Sequence, residues 1–227
     1  QQLLNRKRPG IAPWEAFAAV TALYLGAPRR FALNGTATIT KIEFNGEQPQ
    51  GMDLMIEFST SVSESCFGIP ANIVGTADSD ILTGTAGDDV IAGLGGNDLI
   101  FGLGGNDILC GDAGIDTMNG GDGDDTMLGG DGENAMNGND GDDTMLGGGS
   151  DDGMNGGSGD DTMDGFFGDD TMLGGSGDDS MDGDDGDDTM DGDDGEDAMR
   201  GGADTDDTDG GFGTDTCDAE VMTSCEL

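Results

Sequence analysis

The stretch that decides the fold is residues 120–128, which read GGDGDDTML, and this pattern returns every nine residues over much of the chain. From Gly75 to residue 218, sixteen consecutive nonapeptides follow the form G-x-x-G-x-D-x-U-x, where U is a large apolar residue. Position eight holds leucine or isoleucine in the first four repeats and methionine in the next ten. The exceptions are Asp78, Ser150 and Asp204 at position four, Asn134 at position six, and Thr208 and Cys217 at position eight. An internal repeat of fixed period indicates a solenoid.

The residue types within each repeat predict a turn followed by a strand. Glycine at positions one and four permits positive φ and close backbone approach, so we expect a tight turn in the first half. The x-U-x half favours a short strand whose eighth residue points inward. Two nonapeptides would complete one coil, so residues about 18 apart would stack at a spacing of about 4.8 Å. The pattern therefore predicts a mainly β fold, a parallel β-roll of about eight coils and roughly 40 Å in length.

The charge of the chain is strongly negative and unevenly distributed. The chain has 49 acidic side chains, 7 basic ones and no histidine, for a formal net charge of −42. All but six of the carboxylates follow residue 74, where Arg200 is the single basic residue. The absence of histidine excludes Ser-His-Asp and Cys-His catalysis and the HExxH zinc site. We expect no nucleic-acid partner, because phosphate backbones are bound by Lys and Arg, and no membrane span, because no apolar stretch reaches roughly 20 residues.

The position-six aspartates predict a role for metal ions. Stacked coils would place these carboxylates in columns along both edges of the roll. Two carboxylates about 5 Å apart repel by about 1 kcal/mol in water and by several times that near a protein surface. A hard cation with oxygen ligands removes this conflict, and Ca²⁺ accepts roughly six to eight oxygens in flexible geometry, whereas Mg²⁺ demands an octahedron. The sequence therefore predicts several bound Ca²⁺ ions.

The nonapeptides at residues 120–128 and 156–164 closely resemble the repeat of the RTX (repeats-in-toxin, hemolysin-type) family. The resemblance covers residues 75–218 and implies a right-handed calcium-binding β-solenoid, with a calcium ion between successive turns on each edge. It also implies that the ligands are position-six carboxylates and backbone carbonyls of the first half-repeats. The implied carboxylate ligands are Asp80, Asp89, Asp98, Asp107, Asp116, Asp125, Asp143, Asp152, Asp161, Asp170, Asp179, Asp188 and Asp197. The implied carbonyl ligands are those of Gly84, Gly93, Gly102, Gly111, Gly120, Gly129, Gly138, Gly156, Gly165, Gly174 and Gly183.

Several positions depart from this pattern near the middle and the end of the array. We expect Asn134 to disturb the two sites beside it, and Asp204 with Thr208 to fray the array after Met199. Residues 219–227 are interpreted as a C-terminal tail. The inward methionines are interpreted as flexible core filler rather than as a soft-metal site.

Residues 1–74 lack the repeat and predict a small α/β cap or assembly region. Residues 13–25 predict a helix, and residues 36–44 and 52–58 alternate as strands around an Asn-Gly turn signal. The first four repeats are apolar at position seven as well, at Ile81, Val90, Leu99 and Ile108. Strands that are apolar on both faces are buried on both faces, so we expect residues 1–74 to cover the first two coils.

The four cysteines allow two disulfides. Cys66 with Cys110 would clamp the cap to the fourth repeat, and Cys217 with Cys225 would staple the C-terminal end. Both pairings fit an oxidising compartment, while free buried thiols remain the alternative.

These features together predict a secreted, extracellular protein that is not an enzyme, because the sequence offers no nucleophile paired with a base. Calcium would stiffen a structural, surface, filament or adhesion component. Its unequal ends favour head-to-tail self-assembly or binding to other surface proteins. One alternative is a calcium-dependent folding or secretion module of a larger RTX toxin or enzyme. Another is an ice- or mineral-binding solenoid that uses its outward threonine and asparagine rows.

Overall fold

The computed structural model describes residues 36–45, 53–61, 64–218, 221–223 and 225. The chain divides into two compact units, Gln1–Val62 and Ser63–Leu227. The helix that the sequence predicts at residues 13–25 lies outside the described residues.

In the first unit, the described residues form one antiparallel pair of strands. β1 (Thr36–Asn45) pairs with β2 (Asp53–Ser61), with a register shift between Ile39 and Lys41. The strands that the sequence predicts at residues 36–44 and 52–58 are therefore present.

The second unit is dominated by two parallel sheets of nine strands each. It begins with a short antiparallel pair, β3 (Ser65–Cys66) and β4 (Ile69–Pro70). The next eighteen strands alternate between the two sheets along the chain. One sheet contains β5 (Ile73–Val74), β7 (Val90–Ala92), β9 (Ile108–Ala113), β11 (Thr126–Asp131), β13 (Thr144–Gly149), β15 (Thr162–Phe167), β17 (Ser180–Asp185), β19 (Ala198–Ala203) and β21 (Thr216–Asp218). The other contains β6 (Ile81–Thr83), β8 (Leu99–Gly104), β10 (Thr117–Asp122), β12 (Ala135–Asp140), β14 (Gly153–Ser158), β16 (Thr171–Ser176), β18 (Thr189–Asp194), β20 (Asp207–Asp209) and β22 (Val221–Thr223).

The register of both sheets confirms the predicted coil of two nonapeptides. Met118 pairs with Met136, and Met136 pairs with Met154, so equivalent residues of alternate repeats lie side by side. The second unit is a parallel β-roll, as the nine-residue period predicts. None of the residues that the structure describes belongs to a helix long and apolar enough to cross a membrane.

The core of the roll is made by the position-eight side chains. From Leu82 to Met199, every one of them is at most 9% exposed, and together they form one continuous cluster. Burial of each such side chain contributes about 1.5–3 kcal/mol. The inward direction predicted for position eight is confirmed.

The predicted division of each repeat into turn and strand is wrong in one respect. From β8 to β19 the strands have six residues and run through positions one to three of the next repeat, so the turn is confined to positions four to six. Position-four glycines such as Gly123 and Gly141 have positive φ, as expected, but the position-one glycines do not. From Gly102 to Gly201, the position-one glycines are buried inside the strands, where the interior leaves no room for a side chain.

Gly147 and Gly149 provide a matched test of this space requirement. A Cβ on Gly147 would lie 2.7 Å from Asp152 Oδ2 and 2.8 Å from the carbonyl oxygen of Gly165, whereas a Cβ on Gly149 would meet nothing within 4 Å. We expect Gly147→Ala to lower the free energy of unfolding of the calcium-loaded protein by about 1–3 kcal/mol through overpacking. Gly149→Ala should leave it nearly unchanged. Equal effects in urea unfolding would contradict this account of the position-one glycines.

One expectation about the ends of the array is corrected, and another stays a prediction. The cap predicted over the first two coils from residues 1–74 lies largely outside the described residues. The array does not fray after Met199, because β20, β21 and β22 continue both sheets. Thr208 is fully buried at position eight, so a threonine substitutes for methionine without ending the stack.

Candidate metal centre

The position-six aspartates form two columns inside the roll rather than along its exposed edges. Each of them from Asp89 to Asp215 is at most 4% exposed, and Asn134 is buried in the same way. The backbone N–H of Asp107 donates to Asp125 Oδ1 at 2.7 Å, and that of Asp125 donates to Asp143 Oδ1 at 2.7 Å. One carboxylate oxygen of each residue therefore accepts a backbone hydrogen bond from the preceding coil.

The second carboxylate oxygen of these residues has no hydrogen-bond partner. Burial of an unpaired anionic oxygen is strongly unfavourable unless a proton or a cation compensates it. The residues whose Oδ2 atoms are buried and unpartnered are Asp98, Asp107, Asp116, Asp125, Asp143, Asp152, Asp161, Asp170, Asp179, Asp188, Asp197, Asp206 and Asp215.

Backbone carbonyls of the position-one glycines approach the same interior space. Beside Gly102, for example, both Asp107 Oδ2 and the carbonyl oxygen of Gly120 lie closer than 3.0 Å to the place where a Cβ would stand. Among the predicted carbonyl ligands, the carbonyl and an aspartate Oδ2 both lie within 3.0 Å of such a place for Gly102, Gly111, Gly120, Gly129, Gly156, Gly165, Gly174 and Gly183. The carbonyl of Gly93 lies near one as well, with Asp80 Oδ2 at 3.1 Å. The carbonyls of Gly84 and Gly138 are not among the atoms closest to such a space.

Further residues share this arrangement although the sequence interpretation omitted them. Asp206 and Asp215 carry the same unpartnered oxygen, and the carbonyls of Gly192, Gly201 and Gly210 line the same interior. Their place at positions six and one of the repeat is the signal that identifies them. The sequence does not predict them as ligands, because Asp204 and Thr208 indicate an end of the array after Met199. The carbonyl of Gly147 lies beside Asn134 Nδ2 instead of a carboxylate.

Burial raises the pKa of the aspartates in the middle of both columns, and repulsion from neighbouring carboxylates adds to this effect. The accepted backbone hydrogen bonds offset only part of it. The pKa is raised to about 6 for Asp125, Asp152, Asp161 and Asp188, and to about 7 for Asp143, Asp170 and Asp179. Burial and, to a smaller extent, neighbouring carboxylates thus disfavour the charged form of these side chains, which a bound cation would stabilise.

Asp80 and Asp89 differ from the other predicted ligands because protein donors satisfy them. The backbone N–H of Thr76 donates to Asp80 Oδ2 at 2.6 Å, and that of Thr85 donates to Asp89 Oδ2 at 2.6 Å. Burial favours the neutral form of Asp89, but hydrogen bonds from Asn72 and Thr85 outweigh it and lower its pKa. The first coil therefore differs from the later ones, in which the Oδ2 atoms of the position-six aspartates have no protein donor.

The donor set fits a hard cation. In the described part of the chain, no three Asp, Glu or Cys side chains converge on one point, so carbonyl oxygens have to complete any metal site. Unpartnered carboxylate oxygens beside backbone carbonyls are the oxygen-only ligands that Ca²⁺ takes, and no soft ligand is present among them. The columns of aspartate and glycine would hold Ca²⁺, which would supply positive charge between the coils.

Asn134 leaves one gap in these columns. Its Oδ1 accepts the N–H of Asp116 at 2.9 Å, but its Nδ2 donates to the Gly132 carbonyl at 2.9 Å, so it lacks the unpartnered anionic oxygen. The amide preserves the hydrogen bonds between the coils while removing one charge.

We expect Asn134→Asp to restore the missing ligand. The variant should bind an additional calcium ion and bind calcium more tightly, yet be less stable than the wild type in calcium-depleted buffer at pH 7.5. The reciprocal change, Asp143→Asn, should have the opposite effect on both quantities. Calcium counting by native mass spectrometry and thermal melts with and without calcium measure the two effects. If both variants shift both quantities in the same direction, position six does not bind the metal.

Comparison with known proteins agrees with this arrangement. The family profile of the RTX calcium-binding nonapeptide repeat (four copies) matches residues 74–109, 111–136, 128–163, 146–181, 164–199 and 182–217. No curated protein sequence matches the chain. The profile matches cover more than half of the chain and coincide with the β-roll and its buried carboxylate columns. The chain therefore belongs to the family of RTX calcium-binding nonapeptide repeat proteins.

Proposed function

We propose that this protein is an extracellular, non-enzymatic structural element, a β-roll that calcium ions stiffen along its length. The observation that carries the proposal is the extent of the unpartnered carboxylate columns, from Asp98 to Asp215. An ion site that recurs in nearly every coil contributes to the rigidity of the whole stack. A single catalytic metal would require one such site.

The position of the carboxylates supports a structural role. The position-six aspartates from Asp89 to Asp215 face the interior and are at most 4% exposed, so a dissolved substrate has no access to them. The chain has no histidine to act as a general base. The ions would thus serve folding and stiffness.

The cysteines support an extracellular location. Disulfides join Cys66 to Cys110 and Cys217 to Cys225, and the part of the chain that the structure describes has no free cysteine. Disulfides persist in oxidising compartments such as the extracellular space. Calcium is abundant there, which suits weak sites with dissociation constants on the order of 10⁻⁴–10⁻³ M.

Small-angle scattering and sedimentation of the full chain during a calcium titration at pH 7.5 test this function. We expect an expanded polyanion without calcium and a compact particle with calcium, with the transition in the millimolar range. Magnesium at the same concentration should not replace calcium. Identical dimensions with and without calcium would contradict a stiffening role.

Self-assembly would extend such an element. Among the described residues, the two sheets end in β5 and β6 at one end of the roll and in β21 and β22 at the other, each with one edge that no described strand pairs. A second copy stacked on such an edge would continue both sheets. Sedimentation at high protein concentration in calcium distinguishes filaments or oligomers from monomers, and monomers alone would count against head-to-tail assembly.

A second candidate function is a calcium-dependent folding or secretion module of a larger protein. The division of the chain into two compact units favours it, because only the second unit contains the repeats. The gene around this sequence discriminates between the two candidates. A catalytic or pore-forming region in the same reading frame would favour the module.

The outward rows that suggested ice or mineral binding are present but short. Thr126, Thr144 and Thr162 lie in register on one sheet. The neighbouring position-nine column contains Leu128 and Leu146, which interrupt the polar surface. Thermal hysteresis in calcium buffer would be the result that favours this alternative over a structural role.

A further inference from the structure

Protein donors satisfy the two position-six carboxylates of the first coil, Asp80 and the buried Asp89. Thr76 donates to Asp80 Oδ2 through both its N–H, at 2.6 Å, and its Oγ1, at 2.8 Å. The N–H of Thr85 donates to Asp89 Oδ2 at 2.6 Å. In the later repeats, from Asp98 to Asp215, the corresponding Oδ2 atoms have no partner.

The residue at position two accounts for this difference. Position two has positive φ from the third repeat on, as at Leu94 (76°), Leu103 (84°) and Asp112 (70°). Thr76 and Thr85 do not have positive φ, which is strongly disfavoured for β-branched residues. The backbone therefore takes a different course in these two repeats, and its N–H faces the carboxylate of its own turn.

Asn72 completes the first coil from the other side. In the later coils, Oδ1 of each position-six aspartate accepts the N–H of the equivalent residue one coil earlier. For Asp89 that position falls at Ala71, which lies ahead of the first repeat. Asn72 Nδ2 donates to Asp89 Oδ1 at 2.6 Å in its place. Asn72 Oδ1 also accepts the N–H of Val90 at 2.6 Å. The amide side chain thus substitutes for a missing coil.

A covalent bond also fixes this end of the roll. Cys66 is fully buried and is joined to Cys110 in β9, which pairs with β7 of the first coil. The disulfide therefore ties the segment before the first repeat to the second coil.

We infer that residues 72–92 form a metal-independent end cap, which stays folded without calcium and provides the strand edges on which the calcium-dependent coils assemble. The inference rests on the calcium-dependent folding proposed for the later coils. In a stacked repeat protein each unit is stabilised mainly by its neighbours, so a folded first coil lowers the cost of adding the next. Folding would then proceed from the first coil toward the C-terminus.

Hydrogen exchange with mass spectrometry, on the full disulfide-bonded chain at pH 7.5, tests the inference. In calcium-depleted buffer, amides of residues 72–92 should exchange at least about tenfold more slowly than those of residues 135–200. Addition of calcium should then protect the later coils, beginning with those nearest the cap.

A double variant, Thr76→Gly with Thr85→Gly, gives these repeats the position-two residue that is common in the later ones. It should remove the calcium-free protection of residues 72–92 and raise the calcium concentration needed for folding. Thr83→Gly, at an exposed position of β6, is the matched control for loss of a threonine. It should preserve the calcium-free protection.

The outcomes separate this inference from the proposed function. Suppose that calcium protects the later coils, but that residues 72–92 exchange as fast as the later coils in calcium-depleted buffer. The end cap is then overturned and the calcium-stiffened roll stands. If every coil is equally protected without calcium, both the end cap and the calcium-dependent roll are overturned. The wild-type exchange pattern alone decides between these results, even if the double variant fails to fold.

Discussion

In calcium-depleted buffer, the β-roll is expected to be folded at pH 5 and largely unfolded at pH 7.5. The pKa values of Asp143, Asp170 and Asp179 are raised to about 7, above the ordinary value of 3.8, because burial and nearby carboxylates disfavour the charged form. A raised folded-state pKa means that the folded protein binds more protons than the unfolded chain. The associated stability is fully present below about pH 3.8 and is lost as the pH rises through about 6–7.

Calcium should reverse this dependence, because the ion replaces the protons. We therefore expect calcium to raise the melting temperature strongly at pH 7.5 and only slightly at pH 5. Buffers treated with a chelating resin avoid the weak binding of common chelators at acid pH. Asp143→Asn should weaken the pH dependence of the calcium-free protein, whereas Asp122→Asn, at an exposed position, should not. A calcium-free melting temperature that rises from pH 5 to pH 7.5 would contradict the burial of these carboxylates.

Oxidation of the calcium-free chain is expected to abolish its ability to fold when calcium is added. The ten position-eight methionines, from Met118 to Met199, are at most 3% exposed in the roll. Hydrogen peroxide transfers one oxygen to each thioether, giving a sulfoxide and water, and the sulfoxide is polar. Burial of a polar group without a partner costs about 1–3 kcal/mol, so several sulfoxides exceed the typical stability of about 5–15 kcal/mol.

The calcium-loaded protein provides the control for this experiment. Treated with the same peroxide, it should take up far less oxygen by intact mass and keep its circular dichroism spectrum. Methionine sulfoxide reductase should restore calcium-dependent folding of the oxidised chain. Equal oxidation with and without calcium would show that the methionines are not sequestered in a core.

The sequence predicts the architecture of the roll well because its period is directly visible. Glycine, aspartate and a large apolar residue recur every nine residues from Gly75, Asp80 and Leu82 onward. This recurrence predicts the coil, the inward apolar row and the carboxylate columns. The pairing of Met118 with Met136 confirms the coil. Periodicity requires only that equivalent residues have equivalent environments. The period therefore predicts the architecture even when the backbone path within a repeat is unknown.

The details of each repeat are less accessible from the sequence. The sequence predicts the position-one glycines in turns because glycine has two separate uses, positive φ and close approach, and a sequence does not distinguish them. The burial of Asp125 beside Gly120 depends on the backbone path. The protein donors to Asp80 and Asp89 were missed as well, although threonine at position two was the available signal.

A crystal structure of the calcium-loaded protein, with anomalous scattering used to locate calcium, tests the central claim most directly. The account predicts two interior rows of ions beside the aspartates from Asp98 to Asp215. It also predicts a gap at Asn134 and no ion at Asp80 or Asp89. Rows of protonated or water-bound carboxylates without calcium would contradict it.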